Sequence, residues 1–248
     1  MTAVMISKDV AAKTHAILAE LEARANPVNV AGMARYGIVP ARAYGVPGPD
    51  LRRMAKEAGT DHRLAAALWK TGAHEARAIA VLVDDPAQVT RAQVERWAAA
   101  FDSWAICDGA SCHLFDRTPH AVALAREWPG REEEFVKRAG FVVMAGLAVH
   151  DKAAPDALFL EFLGLVERGA DDPRSMVKKG VNWALRQIGK RNLALNRAAV
   201  AVCRRLVKRR GAARWVGSDA LRELTAENTL ARLQARQARV TRARSICR

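Results

Sequence analysis

The sequence predicts an all-α protein made of many short helices. Ala and Leu are abundant, while only two Tyr and six Phe occur in 248 residues and β-branched runs are sparse. Such a composition is poor in strand formers. No stretch alternates apolar and polar residues long enough to make a half-buried strand. Helical patterning runs through almost the whole chain, punctuated by Gly and Pro.

Taken in order, helices are expected near residues 8–25, 28–36, 49–58, 61–70, 73–83, 90–100, 103–115, 120–127, 131–149, 155–168, 173–190, 193–208 and 218–240. Breaks fall at Gly45-Val46-Pro47-Gly48-Pro49, at Pro86 and at Pro129-Gly130. Thr90-Arg91-Ala92-Gln93, ahead of Val94 and Trp97, is a capping-box pattern. Ser103 is placed to cap the helix that starts at Trp104. Pro155 and Pro173 suit first turns, where the missing N–H costs nothing. Helix-turn-helix units recur roughly every 35–45 residues, near HEAT-like spacing. Short helices on short turns allow a globular bundle or a stack of helical pairs. A stack would present a concave surface able to cradle a duplex. Residues 1–232 are expected to form one domain. Residues 233–248 form a basic tail that begins helical and then frays.

Charge is the first functional signal. Lys plus Arg number 40 and Asp plus Glu 26, a formal net charge of +14. Residues 1–185 hold 23 basic and 23 acidic side chains, so the whole excess sits in residues 186–248. A one-sided field of that size favours a polyanion, nucleic acid first. No apolar run reaches the ~18 residues of a membrane helix, and the start, MTAVMISKDVAAK, lacks the layout of a secretory leader. The four cysteines form no C-x-x-C pair, which argues against a zinc ribbon or a disulfide scaffold and for a reducing cytoplasm. The six histidines show no metal-ligand spacing and no Walker or Gly-x-Gly-x-x-Gly loop occurs, so neither a metal nor a nucleotide cofactor is expected.

Three segments carry residues suited to chemistry. In Phe101-Asp102-Ser103-Trp104-Ala105-Ile106-Cys107-Asp108, Trp104 and Asp108 lie one turn apart on a helix face. An indole beside a carboxylate reads either as a core Trp with a structural Asp or as a functional pair. His113, five residues on, is placed to approach the same site or to serve in packing. In Glu132–Phe141, Arg138 precedes an uncharged run, so it sits where the helix turns from wet to buried. Its partner is then a carboxylate or a phosphate. In Ser175–Gln187, Lys179, Trp183 and Arg186 share a face. Cations flanking an aromatic ring hold a phosphate and pack on a sugar or base; the alternative is a core Trp with snorkelling neighbours.

The chain resembles the AlkD-type DNA alkylation repair proteins, HEAT-like-repeat alkylpurine DNA glycosylases, over residues 28–200. The resemblance rests on Gly45-Val46-Pro47-Gly48-Pro49-Asp50-Leu51-Arg52-Arg53, on Ser-Trp-x-x-x-Asp at 103–108, on Lys137-Arg138, and on Val177-Lys178-Lys179-Gly180-Val181-Asn182-Trp183-Ala184-Leu185-Arg186. It implies an α-solenoid of HEAT-like antiparallel helical pairs with a concave basic DNA-binding face. It implies hydrolysis of the N-glycosidic bond of N3- and N7-alkylated purines in double-stranded DNA, starting base excision repair without a cofactor. The family's cleft holds two tryptophans, an aspartate and an arginine, matching Trp104, Trp183, Asp108 and Arg138, and a tyrosine matching Tyr36. Asp108 would stabilise positive charge on the sugar, the tryptophans would pack on the deoxyribose, and Arg138 would hold a phosphate. The family contacts the backbone and leaves the lesion largely stacked. A deep, apolar, base-sized pocket beside Asp108 would count against that feature. Lys178, Lys179, Arg186, Lys190, Arg191 and Arg197 are the candidates for phosphate neutralisation, and six such contacts give a log K against log salt slope of about −5. A monomer on alkylated duplex DNA in a nucleoid-associated cytoplasmic setting is expected, with no heptad seam for dimerisation. A non-catalytic HEAT-like nucleic-acid binder and a protein-binding scaffold are the competing readings.

Overall fold

A computed structural model of the chain describes residues 8–246, with side chains through residue 239. Residues 1–7, the side chains of Arg242 and Arg244, and Cys247 and Arg248 lie outside the described residues. Fourteen α-helices, three short 3₁₀ turns and no strand occur among those described. The chain divides into two compact units, Met1–His120 and Ala121–Arg248.

The first unit holds α1 (Lys8–Ala23), α2 (Pro27–Met33), α3 (Gly48–Ala58), α4 (His62–Lys70), α5 (His74–Val83), α6 (Arg91–Ala98) and α7 (Trp104–His113). Helix α5 packs on α3, α4 and α7, and α1 packs on α4. The stacked rings of Trp69 and Trp97, 4.0 Å between centroids and 3° from parallel, join α4 to α6. The second unit holds α8 (Ala121–Glu127), α9 (Glu134–His150), α10 (Asp156–Gly169), α11 (Ser175–Gly189), α12 (Leu193–Val207), α13 (Gly211–Leu224) and α14 (Glu227–Ile246). Here α9, α11 and α13 pack in one row, and α8, α10, α12 and α14 in another. Each helix thus meets its next-but-one neighbour, which is the packing of stacked helical pairs rather than of a bundle.

Local chemistry explains most helix starts. Asn26, Asp61, Thr90 and Asn192 each accept a backbone N–H from the first turn of α2, α4, α6 and α12. The capping box at Thr90 is only half made, because the Gln93 amide donates to Asp84 Oδ2 at 2.6 Å instead of reaching back. Ser103 occupies the cap position of α7 but its hydroxyl bonds to Asp102 Oδ1, so it caps nothing. Pro155 stands at the cap of α10, and Pro173 lies ahead of α11 outside its first turn.

The largest difference from expectation is at the C-terminal end. One helix over 218–240 is expected, but α13 begins at Gly211 and a separate α14 begins at Glu227. Gly217 sits inside α13, where a Cβ would come within 2.8 Å of Cys203 O and 2.7 Å of Leu206 Cβ. The glycine permits close packing of α13 on α12. Leu233 of α14 is buried.

The Gly45 turn is held from three sides. Glu75, on the first turn of α5 and almost fully buried, accepts the Tyr44 and Gly45 N–H groups at 2.9 and 2.7 Å. Asn29 Nδ2 donates to Gly45 O at 2.9 Å, and Asn26 N donates to Tyr44 O at 2.7 Å. The turn then delivers Pro47 to the cap of α3.

Candidate nucleic-acid interface

In the first unit, Arg77 of α5 sets the start of α7. Its Nη1 donates to Ala100 O at 3.3 Å and to Asp102 Oδ2 at 3.1 Å, while its guanidinium lies over the Trp69 ring. Trp104 then opens α7 half-buried, and its indole N–H donates to Tyr36 O at 2.8 Å. Tyr36 itself is 70% exposed, at the end of the 3₁₀ turn that follows α2. Asp108, one turn after Trp104, is also half-buried. The structure therefore brings Tyr36 and Trp104 into contact and sets Asp108 a turn further along the same helix. A cavity of about 380 Å³ opens on the adjoining face of α7, walled by Ala105, Ile106, Gly109 and His113 with Leu51 and Arg52 of α3. Neither Trp104 nor Asp108 lines it, and His113 belongs to this cavity wall.

In the second unit, α11 buries Val177, Val181, Ala184, Leu185 and Ile188. Lys179 is exposed, and Trp183 and Arg186 are half-buried, so these three form its outer strip as their spacing predicts, with half-buried Lys190 just past the helix end. Arg138 of α9 is 6% exposed, deeper than expected, and its Nη1 donates to Met176 O of α11. Gly180 admits it: a Cβ there would stand 3.2 Å from Arg138 Cγ. The neighbouring Lys137 pairs with Asp172 at 3.1 Å. Asp172 is held down to about 2, chiefly by its hydrogen bond from Arg174.

The basic residues differ in how committed they are. Arg186 pairs with Glu223 at 2.5 Å and Asp219 at 3.6 Å, and Lys190 pairs with Glu223 at 2.6 Å. Arg191 donates to Ala148 O, Lys152 O and Ala154 O and lies 4.2 Å from the Phe159 ring centroid. Lys178 sits over the ring of Trp215 at 5.1 Å. Lys179 and Arg197 are exposed. Three of the six sequence candidates are thus already spent on acids or helix-end carbonyls. Trp215, 40% exposed on α13, is a ring that sequence reading passed over, because its helix was not expected before residue 218.

Among the described residues, no helix is long and apolar enough to cross a membrane, and no group of three or more His, Cys, Asp or Glu could hold a metal ion.

Helices stacked in pairs make this a helical-repeat protein. The chain belongs to the DNA alkylation repair enzyme family, whose model matches residues 17–238. A solved structure, described as "a new family of proteins related to the HEAT-like repeat DNA glycosylases with affinity for branched DNA structures", is similar in fold. Its TM-score is 0.70 at 19% identity, covering 83% of this chain and 93% of that one. No curated protein sequence matches this chain.

Proposed function

We propose that this protein is a DNA glycosylase that hydrolyses the N-glycosidic bond of cationic N3- and N7-alkylated purines in duplex DNA. The observation that carries the reading is Trp104, anchored by its indole N–H to Tyr36, with Asp108 one turn on and both half-buried, in a chain of the DNA alkylation repair family.

Alkylation at N3 or N7 makes the purine cationic and a good leaving group, so no strong general acid is needed. The C1′–N bond breaks with its electron pair leaving on the base, and positive charge builds on the sugar. Asp108 stabilises that charge and orients the water that adds to C1′, whose proton is then lost to the carboxylate or to solvent. The π-face of Trp104 favours a cationic sugar or base, and Trp183, in the second unit, offers an aromatic face to the DNA. Tyr36 contacts the strand, and Arg138, buried and bonded to Met176 O, sets α11 against α9. As the lesion stays largely stacked in this reading, no flipped-base pocket is required, and a bulky adduct is a substrate to test beside a methyl group. The chain acts as a monomer.

The test is single-turnover release of N7-methylguanine from a duplex, followed by the same assay on a duplex with a bulky N7 adduct. Release in either establishes the activity. Absence of release in both, with tight binding, favours a second reading as a binder of branched DNA, the property in the description of the solved relative. A four-way junction competed against a linear duplex then separates the two.

Salt dependence follows from which cations are free. Lys178, Lys179 and Arg197 give a log K against log salt slope of about −3, shallower than six phosphates require. Glu223→Gln frees Lys190 and leaves Arg186 only its longer contact with Asp219, so duplex binding should tighten and the slope should steepen by about 1. An unchanged slope in filter-binding titrations would show that Glu223 does not compete with phosphate.

A further inference from the structure

The second unit contains a cation-lined pocket that the base-release chemistry does not use. It has a volume of about 300 Å³ and lies where the C-terminal ends of α9 and α11 meet α14. Lys152, Lys190, Arg191, Arg232 and Arg236 line it, over a floor that includes Ala148, Val149 and Leu233. No acidic side chain is among the lining residues.

The cations are held in place rather than left as a loose surface cluster. Arg191 is fixed by its three carbonyl oxygens and the Phe159 ring. Arg236 donates through Nη1 to Lys190 O and Arg191 O, at 3.4 and 2.9 Å. Among the described residues its Nη2 and Nε make no hydrogen bond, so a donor edge remains for a ligand. Lys152 reaches Val149 O. Arg232 is exposed and has no salt bridge to a carboxylate among the described residues. Carbonyl acceptors orient these groups without cancelling their charge. Only Lys190 has a carboxylate partner, Glu223, and Glu223 is shared with Arg186.

We propose that this pocket binds a phosphate group. Arg forks match phosphate oxygens in pairs, and an ammonium adds a point charge. The room is that of roughly ten waters at ~30 Å³ each, enough for the group and its hydration. The electrostatics agree: burial first, then Arg236 and Arg191, push the Lys152 ammonium below its ordinary range. Burial also pulls Arg191 down, although Asp156 and Asp151 act the other way. Asp156 is occupied by the Asn192 amide and Asp151 by the Ala153 and Ala154 N–H groups, and neither lines the pocket. Positive groups crowded at this spacing gain most from an anion.

A phosphate group here comes from a nucleic-acid backbone or from a free phosphate monoester. The inference is independent of base release and stands if the protein only binds DNA. The test compares the full-length chain with the Lys152→Gln/Arg232→Gln double variant, which spares Arg191 and Arg236, the cations that bond carbonyls of distant segments. Arg63→Gln/Lys70→Gln, two exposed cations on α4, serves as a charge-matched control. If the pocket holds backbone phosphate, duplex affinity falls about tenfold at ~0.1 M salt and the salt slope shallows by about 1–2, while the control changes little. If it holds a monoester, the wild type binds inorganic phosphate and a 5′-phosphorylated dinucleotide by calorimetry, the double variant does not, and duplex affinity is unchanged. Loss equal to that of the control, or no change in either assay, overturns the proposal.

Discussion

Asp108→Asn is expected to slow release of N7-methylguanine from duplex DNA by at least about 30-fold, which corresponds to ~2 kcal/mol of lost transition-state stabilisation. Asparagine keeps the shape and the half-buried seat on α7 and removes only the charge. The substrate is neutral at the sugar in the ground state and positive there in the transition state, so the loss falls on rate. Duplex affinity should stay within about threefold, because a carboxylate near the backbone does nothing to attract phosphates. Rate under single-turnover conditions and affinity by anisotropy separate these effects. Unchanged rate would take Asp108 out of the mechanism, and a parallel fall in affinity and melting temperature would make its role structural. Trp104 supplies the contrast: its indole N–H is tied to Tyr36 O, so Trp104→Ala should loosen the 34–36 turn as well as weaken the contact with the strand.

Gly45→Ala should destabilise the protein by about 2–4 kcal/mol, read as a shift in the urea midpoint with little change in m. Two costs add. Gly45 has φ of +75°, where a residue with a Cβ loses about 1–2 kcal/mol. The new Cβ would also stand 2.4 Å from Asn26 O. That oxygen cannot retreat freely, since it accepts the Val30 N–H at 3.1 Å in the first turn of α2. Gly72 offers a control: its φ is +74° but an added Cβ meets nothing within 4 Å, so Gly72→Ala should cost only about 1–2 kcal/mol. Equal costs at the two positions would mean that the Asn26 approach relaxes without penalty.

The helical class, the outer strip of α11 and the spacing of Trp104 and Asp108 were legible because each is a local matter of period and composition. Arg138 was legible from the uncharged run that follows it, and the family resemblance added Tyr36, which no periodicity singles out. The sequence alone could not choose between a bundle and a stack. That choice lies in which helices meet, and here α9, α11 and α13 form one row. Nor could it read Gly217, where a residue that breaks isolated helices is kept because α12 approaches too closely for a Cβ.

Charge shows the division most clearly. Counting along the chain places the basic excess after residue 185, and that tally needs no coordinates. Which cations remain available for phosphate depends on partners distant in sequence: Glu223 for Arg186 and Lys190, 37 and 33 positions away, and the helix-end carbonyls for Arg191. Composition and period are properties of the chain itself. Pairing is a property of distance, so only the tertiary structure decided which charges are spent and which face a ligand.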